Sequence, residues 1–300
     1  MHQTWTGKSK GSTAGHKFFF YFLKYAGLRF CYFLLYPVVF FYFIVSPEKR
    51  NSYRFFRYRL NFSRTKSIVS VYRNFYALGE SLIDKLALFS GLGKGFTYQH
   101  DGEEHFIAER EKKEGGILIS AHIGNWQIAG QLFKKYTLKY SILMHQGEKA
   151  QLQKFMNRVE KERDFKVIEV KSETDPGILL EMKDIMEKKE WLVMHADRFM
   201  GDAKVFSLEF LGQQARFPAG PFIIASRLAK KVVFAFTVKI KWNQYLFIAL
   251  PPIEINENDR RSNASAVALQ LANEFVKSME EIVKKYPFQW FNFYDFWAEH

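Results

Sequence analysis

GGILISAHIGNWQIAG, Gly115–Gly130, decides how this chain folds. Ile117, Leu118 and Ile119 form a short, unbroken apolar run, the pattern of a strand buried on both faces of a parallel sheet. Ser120, Ala121 and His122 stand at its C-terminal end, Gly124 and Asn125 break the run, and Trp126 opens a helix with Asn125 as its N-cap. Open α/β sheets bind ligands outside the carboxyl ends of their strands. Helix N-termini present free N–H groups to anionic oxygens. Imidazole is the side chain whose ordinary range lies nearest neutral pH, so a histidine at that junction is the first candidate for moving a proton.

Outward from this stretch, apolar runs alternate with helical patterns. Strands are expected at Tyr140–Met144, Phe165–Val170, Trp191–His195, Val232–Val238 and Tyr245–Leu250. Between them lie a helix carrying Leu152, Phe155, Met156 and Val159 and another carrying Ile178, Leu179, Met182, Ile185 and Met186. A long helix follows at Ala264–Lys285, with Leu271, Phe275, Met279 and Ile282 along one side. This alternation predicts an α/β domain with a largely parallel central sheet flanked by helices. Residues 101–114 are polar. A core-facing helix over Val71–Phe89 ends at the glycines 91, 93 and 95, which no strand precedes, so they are not a nucleotide-binding loop.

The N-terminal part is of another kind. From Phe18 to Val45 the chain is almost wholly aromatic and aliphatic, with Pro37 inside it and only Lys24 and Arg29 interrupting. The clean window, Phe30–Val45, is a little shorter than the roughly 20 residues that span a bilayer. It reads as a tilted span, with the two cations snorkelling, or as a hairpin in one leaflet. A buried helix of a soluble domain is the plainer alternative. A cleaved signal peptide is disfavoured, because no small-residue cleavage site follows before Ser46 and Pro47. Basic residues are denser after the apolar segment (Lys49, Arg50, Arg54, Arg57, Arg59), which puts the globular part on the cytoplasmic side. Tyr53–Phe62, YRFFRYRLNF, interleaves arginine with aromatics, as a surface resting among headgroups does or as an amphipathic helix on the domain does. The chain thus divides into an anchoring segment, 1–62, and an α/β domain, 63–300.

Composition narrows the partners. The net charge is +13, aromatic residues make up 18% of the chain, and the single cysteine, Cys31, excludes an internal disulfide. Such a charge suits an anionic partner. Basic residues scattered among aromatics favour membrane lipids, and no nucleic-acid-binding signature is present. Nucleic acid is therefore not expected as a partner.

The spacing around His122 resembles that of the lipid A late acyltransferases, a branch of the lysophospholipid acyltransferase superfamily. Their signature is a histidine, four residues, then a carboxylate. Here Ile123, Gly124, Asn125 and Trp126 follow His122, and the fifth residue is Gln127. The resemblance extends to MHADRFMG (Met194–Gly201), to FLGQQARFPAGP (Phe210–Pro221) and to the terminal YPFQWFNFYDFW (Tyr286–Trp297). It is closest to the subgroup found beside aryl-polyene and flexirubin-type pigment genes, which shares WTGKS-, SLIDKLAL-, AHxGNWE- and QWFNFYDFW-like stretches. It implies a membrane-associated enzyme of the bacterial inner (cytoplasmic) membrane. The enzyme would move a fatty acyl group from acyl carrier protein or coenzyme A to a hydroxyl or amine of a lipid, a lipid A precursor or an aryl-polyene-type lipid.

By that resemblance His122 is the general base and Gln127 stands where the carboxylate would orient it. Gly124, Asn125, Trp126, Asp197, Arg198, Arg216, Phe217 and Gly220 would shape the substrate site, with Arg216 near an anionic oxygen. A glutamine carbonyl orients an imidazole without supplying charge, and an amide in place of a triad aspartate has cost about 10⁴ in rate. Gln127 therefore leaves three expectations beside the acyltransferase reading: a weak enzyme, a substrate-trapping or engineered variant, or a lipid-binding member of the same fold that does not catalyse. The terminal aromatic run reads equally as groove lining, membrane belt or core. No cofactor is implied, and His195 with Asp197 does not amount to a metal ligand set.

Overall fold

The computed structural model describes residues 13–112, 114–130, 133, 136–145, 165–170, 176–199, 201 and 203–297. The expected helix around Leu152–Val159 and the WTGKS stretch lie outside them.

Strand β2 (Gly116–Ser120) is buried at every position, which is why it reads as an unbroken apolar run. The main sheet also holds β1 (Thr97–Asp101), β3 (Tyr140–His145), β4 (Phe165–Val170), β5 (Trp191–His195), β8 (Lys231–Lys241), β9 (Gln244–Ala249) and the short β10 (Ile253–Glu254). Its order is β1-β9-β8-β2-β5-β3-β4, with β10 on β8. The strands from β8 through β4 run parallel, whereas β8 and β9 form an antiparallel hairpin. At the start of β2, Gly115 is required by closeness, because a Cβ there would sit 2.2 Å from the Glu190 carbonyl.

Two elements escaped the sequence pattern for physical reasons. β1 is an edge strand, TYQHD, alternately exposed, with no apolar face to announce it. It ends where the polar segment 101–114 begins, and that segment holds α5 (Glu103–Lys112). Running into FLGQQARFPAGP, β6 (Val205–Phe210) and β7 (Gln213–Pro218) form an antiparallel hairpin. Its two-residue turn, Leu211–Gly212, has both φ values positive, at 52° and 76°. Tight hairpin turns need that conformation, and leucine seldom takes it.

Helix α9 (Ala264–Lys285) lies at the predicted place. Its Phe275, fully buried, packs against Phe222 of α7 (Gly220–Leu228) and against Phe234 and Phe236 of β8. Truncating such a residue to alanine costs about 3–5 kcal/mol. Among the described residues, the remaining helices of the α/β layer are α6 (Pro176–Glu187) and α8 (Glu257–Ser262).

The N-terminal helices lie along the domain. α1 (Thr13–Tyr25) and α2 (Gly27–Val45) are separated at Gly27, whose φ of +82° interrupts the helix. α2 is long and apolar enough to cross a membrane. One of its faces (Cys31, Tyr32, Leu35, Val39) is buried, and α4 (Arg64–Phe89) packs against it. The Tyr72 and Tyr76 hydroxyls of α4 donate to the Tyr36 and Tyr32 carbonyls of α2. The other face is bare: Phe33, Phe40 and Phe41 are 65%, 57% and 59% exposed. Between the two helices, α3 (Lys49–Arg54) runs into a π-helical turn, Phe55–Arg59, that buries Phe55 and Phe56 and leaves Tyr58 outside. The arginine-aromatic stretch is thus a packed helix with a basic outer surface.

The terminal aromatic run is chiefly core. Trp290 and Phe296 are buried among Phe55, Phe210 and Phe217, and Arg54 pairs with Asp295 at 3.1 Å on its outer side.

Candidate active site

β2 and β5 are parallel neighbours whose last paired residues are Ser120 and His195. Ala196 then donates its N–H to the Ser120 carbonyl (3.0 Å), so the two chains leave the sheet side by side. Two residues past that pair stand His122 on one chain and Asp197 on the other. The His122 Nδ1 lies 2.8 Å from Asp197 Oδ1. Because a carboxylate only accepts, this geometry assigns the proton to Nδ1 and the lone pair to Nε2 in the neutral ring.

Asp197 is 1% exposed. Burial alone would raise its pKa, but the charge and hydrogen bond of His122, with Arg198 and His195 nearby, outweigh it and hold the carboxyl below the usual carboxylate range. Its Oδ2 faces Arg198 Nε at 3.8 Å, and Tyr294 donates its hydroxyl to the Asp197 backbone carbonyl. The His195 ring lies 4.6 Å from that of His122, and Trp126 meets His195 edge-on at 4.5 Å. The imidazole is fixed by packing as well as by charge.

Gln127 lies in the single 3₁₀ turn Trp126–Ala129, and the partner of His122 Nδ1 is Asp197. The carboxylate missing from position 127 is supplied from position 197. Sequence reasoning had Asp197 in the site but not as the partner of the histidine. The signal was available in the equal offset of the two residues beyond paired strand ends, once the strands are known to be parallel neighbours.

Asn125 occupies the N-cap position but does not cap. Its Nδ2 donates to the Ser81 carbonyl of α4, and its backbone N–H donates to Thr237 of β8. Gly124 has a φ of +61°, and a Cβ there would sit 2.0 Å from the Thr237 carbonyl, so only glycine fits. Gly124 also donates to Gln289, and Phe291 donates to the His122 carbonyl, so the histidine loop is clamped between β8 and the C-terminal segment.

The remaining candidates separate. Arg198 donates through Nη2 to the Phe291 carbonyl at 2.7 Å, so it ties the terminal segment to the site. Arg216, on β7, places its guanidinium over the Phe199 ring, two residues from Asp197, and so belongs to the same rim. Phe217, expected in the substrate site, is fully buried against Phe210 and Phe296 and packs the hairpin instead. Gly220 begins α7, just after Pro218 and Ala219.

The profile of the bacterial lipid A biosynthesis acyltransferase family matches residues 91–298, more than half of the chain. The chain belongs to this family. No curated protein matches the sequence at a significant level. Among solved structures, the 1-acyl-sn-glycerophosphate (LPA) acyltransferase PlsC from Thermotoga maritima is similar at 14% identity, over 90% of this chain and 92% of that one, with a TM-score of 0.37. Within the family match fall His122, Asp197 and Arg216, together with the C-terminal segment that holds the loop.

Proposed function

We propose that this acyltransferase-family protein transfers a fatty acyl group from a thioester, on acyl carrier protein or coenzyme A, to a hydroxyl or amine of a membrane lipid. His122 is the general base. The observation that carries the reading is the His122–Asp197 contact at the C-terminal edge of the sheet. Nε2 takes the proton of the acceptor group as its oxygen or nitrogen attacks the thioester carbonyl. Asp197 stabilises the imidazolium that forms. Collapse of the tetrahedral intermediate breaks the C–S bond, and the proton passes from the imidazolium to the leaving thiolate. Metal and cofactor have no part in these steps.

The silent, lipid-binding alternative rested on Gln127. With a buried carboxylate already on the ring, the glutamine no longer argues for it. Membrane attachment at the inner, cytoplasmic face is supported by the bare aromatic face of α2 and the basic outer surface of the Tyr53–Phe62 stretch. Since the opposite face of α2 is fastened to α4, we place α2 in one leaflet. The excess of basic residues attracts an acidic carrier. An aryl-polyene-type lipid is the acceptor we favour over a lipid A precursor, on the SLIDKLAL-like and QWFNFYDFW-like stretches.

The test is thioester consumption with acceptor lipid present. His122→Ala is expected to lose about 10²–10⁴ in rate per folded molecule, with some loss of thermal stability because Asp197 is left buried without its partner. Normal transfer by that variant would remove the mechanism.

A further inference from the structure

A second site lies one strand along the same sheet edge, at β8. α4 turns one stripe, Arg73, Ala77, Glu80 and Asp84, toward the C-terminal end of β8, the spacing of one helical face. Between them is a cavity of about 450 Å³, which the Gly124–Asn125 side of the histidine loop also lines. Tyr36 stands in its wall and, at 53% exposure, on the bare face of α2, so the cavity opens beside the surface assigned to the membrane.

Its charges are sorted by depth. At the floor, Lys239 is shared by two carboxylates, Asp84 at 2.8 Å and Glu80 at 3.1 Å. Asp84 also accepts hydrogen bonds from the Tyr32 and Tyr245 hydroxyls. Lys239 is divided between the two acids, and Glu80, at 20% side-chain exposure, is the one facing the cavity. At the rim stand Arg73 and Lys241, neither ion-paired among the described residues. The Arg73 guanidinium is held 4.0 Å over the Phe288 ring. Acid below and two bases above do not suit an acyl chain, and the acid does not suit a simple anion.

We propose that this cavity binds a zwitterionic amino-phosphate headgroup of the phosphoethanolamine kind, its ammonium toward Glu80 and its phosphate toward Arg73 and Lys241. The ammonium's N–H groups donate to the Glu80 carboxylate, which has only a share of Lys239. Ala77, between the two charged levels, leaves the room. The proposal is independent of acyl transfer, because binding is read without a donor.

The full chain in an uncharged detergent is titrated with dihexanoyl phosphatidylethanolamine, dihexanoyl phosphatidylglycerol, glycerophosphoethanolamine and inorganic phosphate, by calorimetry. Phosphatidylethanolamine is expected to bind at least about tenfold more tightly than phosphatidylglycerol, the worth of one charge-assisted hydrogen bond. Glu80→Gln should erase that preference, Arg73→Gln should weaken both lipids about tenfold, and Ala77→Trp should fill the cavity and abolish binding while a thermal melt shows it folded. Glycerophosphoethanolamine binding as tightly as the lipid would make the natural source a soluble phosphodiester. Tighter binding of the lipid would make it the bilayer. Equal affinity for the two lipids, competition by phosphate as effective as by phosphatidylethanolamine, or undiminished binding by folded Ala77→Trp would each overturn the proposal.

Discussion

Two aspartates, Asp197 and Asp84, sit toward the same end of the sheet and are almost equally removed from water, at 1% and 0% exposure. Their carboxyls nevertheless move in opposite directions. At Asp197 burial is outweighed by His122, with Arg198 and His195 behind it, and the acid is strengthened. At Asp84 burial wins over Lys239 and the hydrogen bonds of Tyr245 and Tyr32, and the acid is weakened. Depth alone therefore does not set the charge of a buried carboxylate. The ratio of positive to negative neighbours does. Asp197 has a histidine to itself, whereas Asp84 divides one lysine with Glu80. The first arrangement keeps a carboxylate ionised beside a proton-transferring ring. The second fastens α2 and α4 to β8 and β9.

The largest effect expected from this contrast is at Asp197. Asp197→Asn keeps the shape but offers the ring an amide, which permits the wrong tautomer and gives the imidazolium no charge. Transfer should fall by as much as about 10⁴, as it does when a triad aspartate is so changed. A loss below tenfold, measured as thioester turnover with acceptor lipid, would mean that the pair is only structural.

Next is Lys239→Met, which removes the one cation from the Asp84 cluster. Stranding a buried acid typically costs about 3–5 kcal/mol, so chemical denaturation should show a large loss of stability. Transfer per folded molecule should be retained, since Lys239 touches α2, α4 and the sheet but not His122. Unchanged stability would show that the cluster fastens nothing.

A smaller effect is a difference in pH dependence. Burial raises the Glu80 pKa against the pull of Lys239. A carboxyl raised on folding binds its proton more tightly in the native state, so its contribution to stability worsens as pH rises through the unfolded value, about 4.3, toward the folded one. Glu80→Gln has no such dependence, and its melting temperature relative to the parent should climb from pH 4 to pH 7. Asp197 has the opposite sign. Its contribution is present above about 3.9 and is lost as pH falls toward its folded value, so Asp197→Asn should approach the parent in stability as the solution is acidified. Parallel curves for the two variants would contradict the contrast.

How much of this was legible in the sequence follows from burial. β2 and β5 read directly because a strand covered on both faces is written as an unbroken apolar run. α9 read to its ends because its four-residue period of large apolar side chains is continuous. The edge strand β1 carries no such pattern, and the β6–β7 hairpin turns on a leucine that a turn seldom takes. His122 was visible from its place at a strand end. Its partner was not, because 75 residues separate them and only the strand order makes them neighbours. Likewise Asn125 has the composition of a helix cap, and only the packing of α4 shows that its amide is engaged elsewhere.

The smallest change expected is at the position where the family pattern is broken. If the glutamine had replaced the only carboxylate available to His122, Gln127→Glu would restore a missing charge and raise transfer by orders of magnitude. With Asp197 already on Nδ1, the added glutamate has no ring N–H left to accept except the one that the reaction needs. The rate should change by less than about tenfold, the effect of a single unshared charge near the surface being about 1 kcal/mol or less. A gain of a hundredfold in thioester turnover would return the orienting role to residue 127 and reduce Asp197 to a support for the loop.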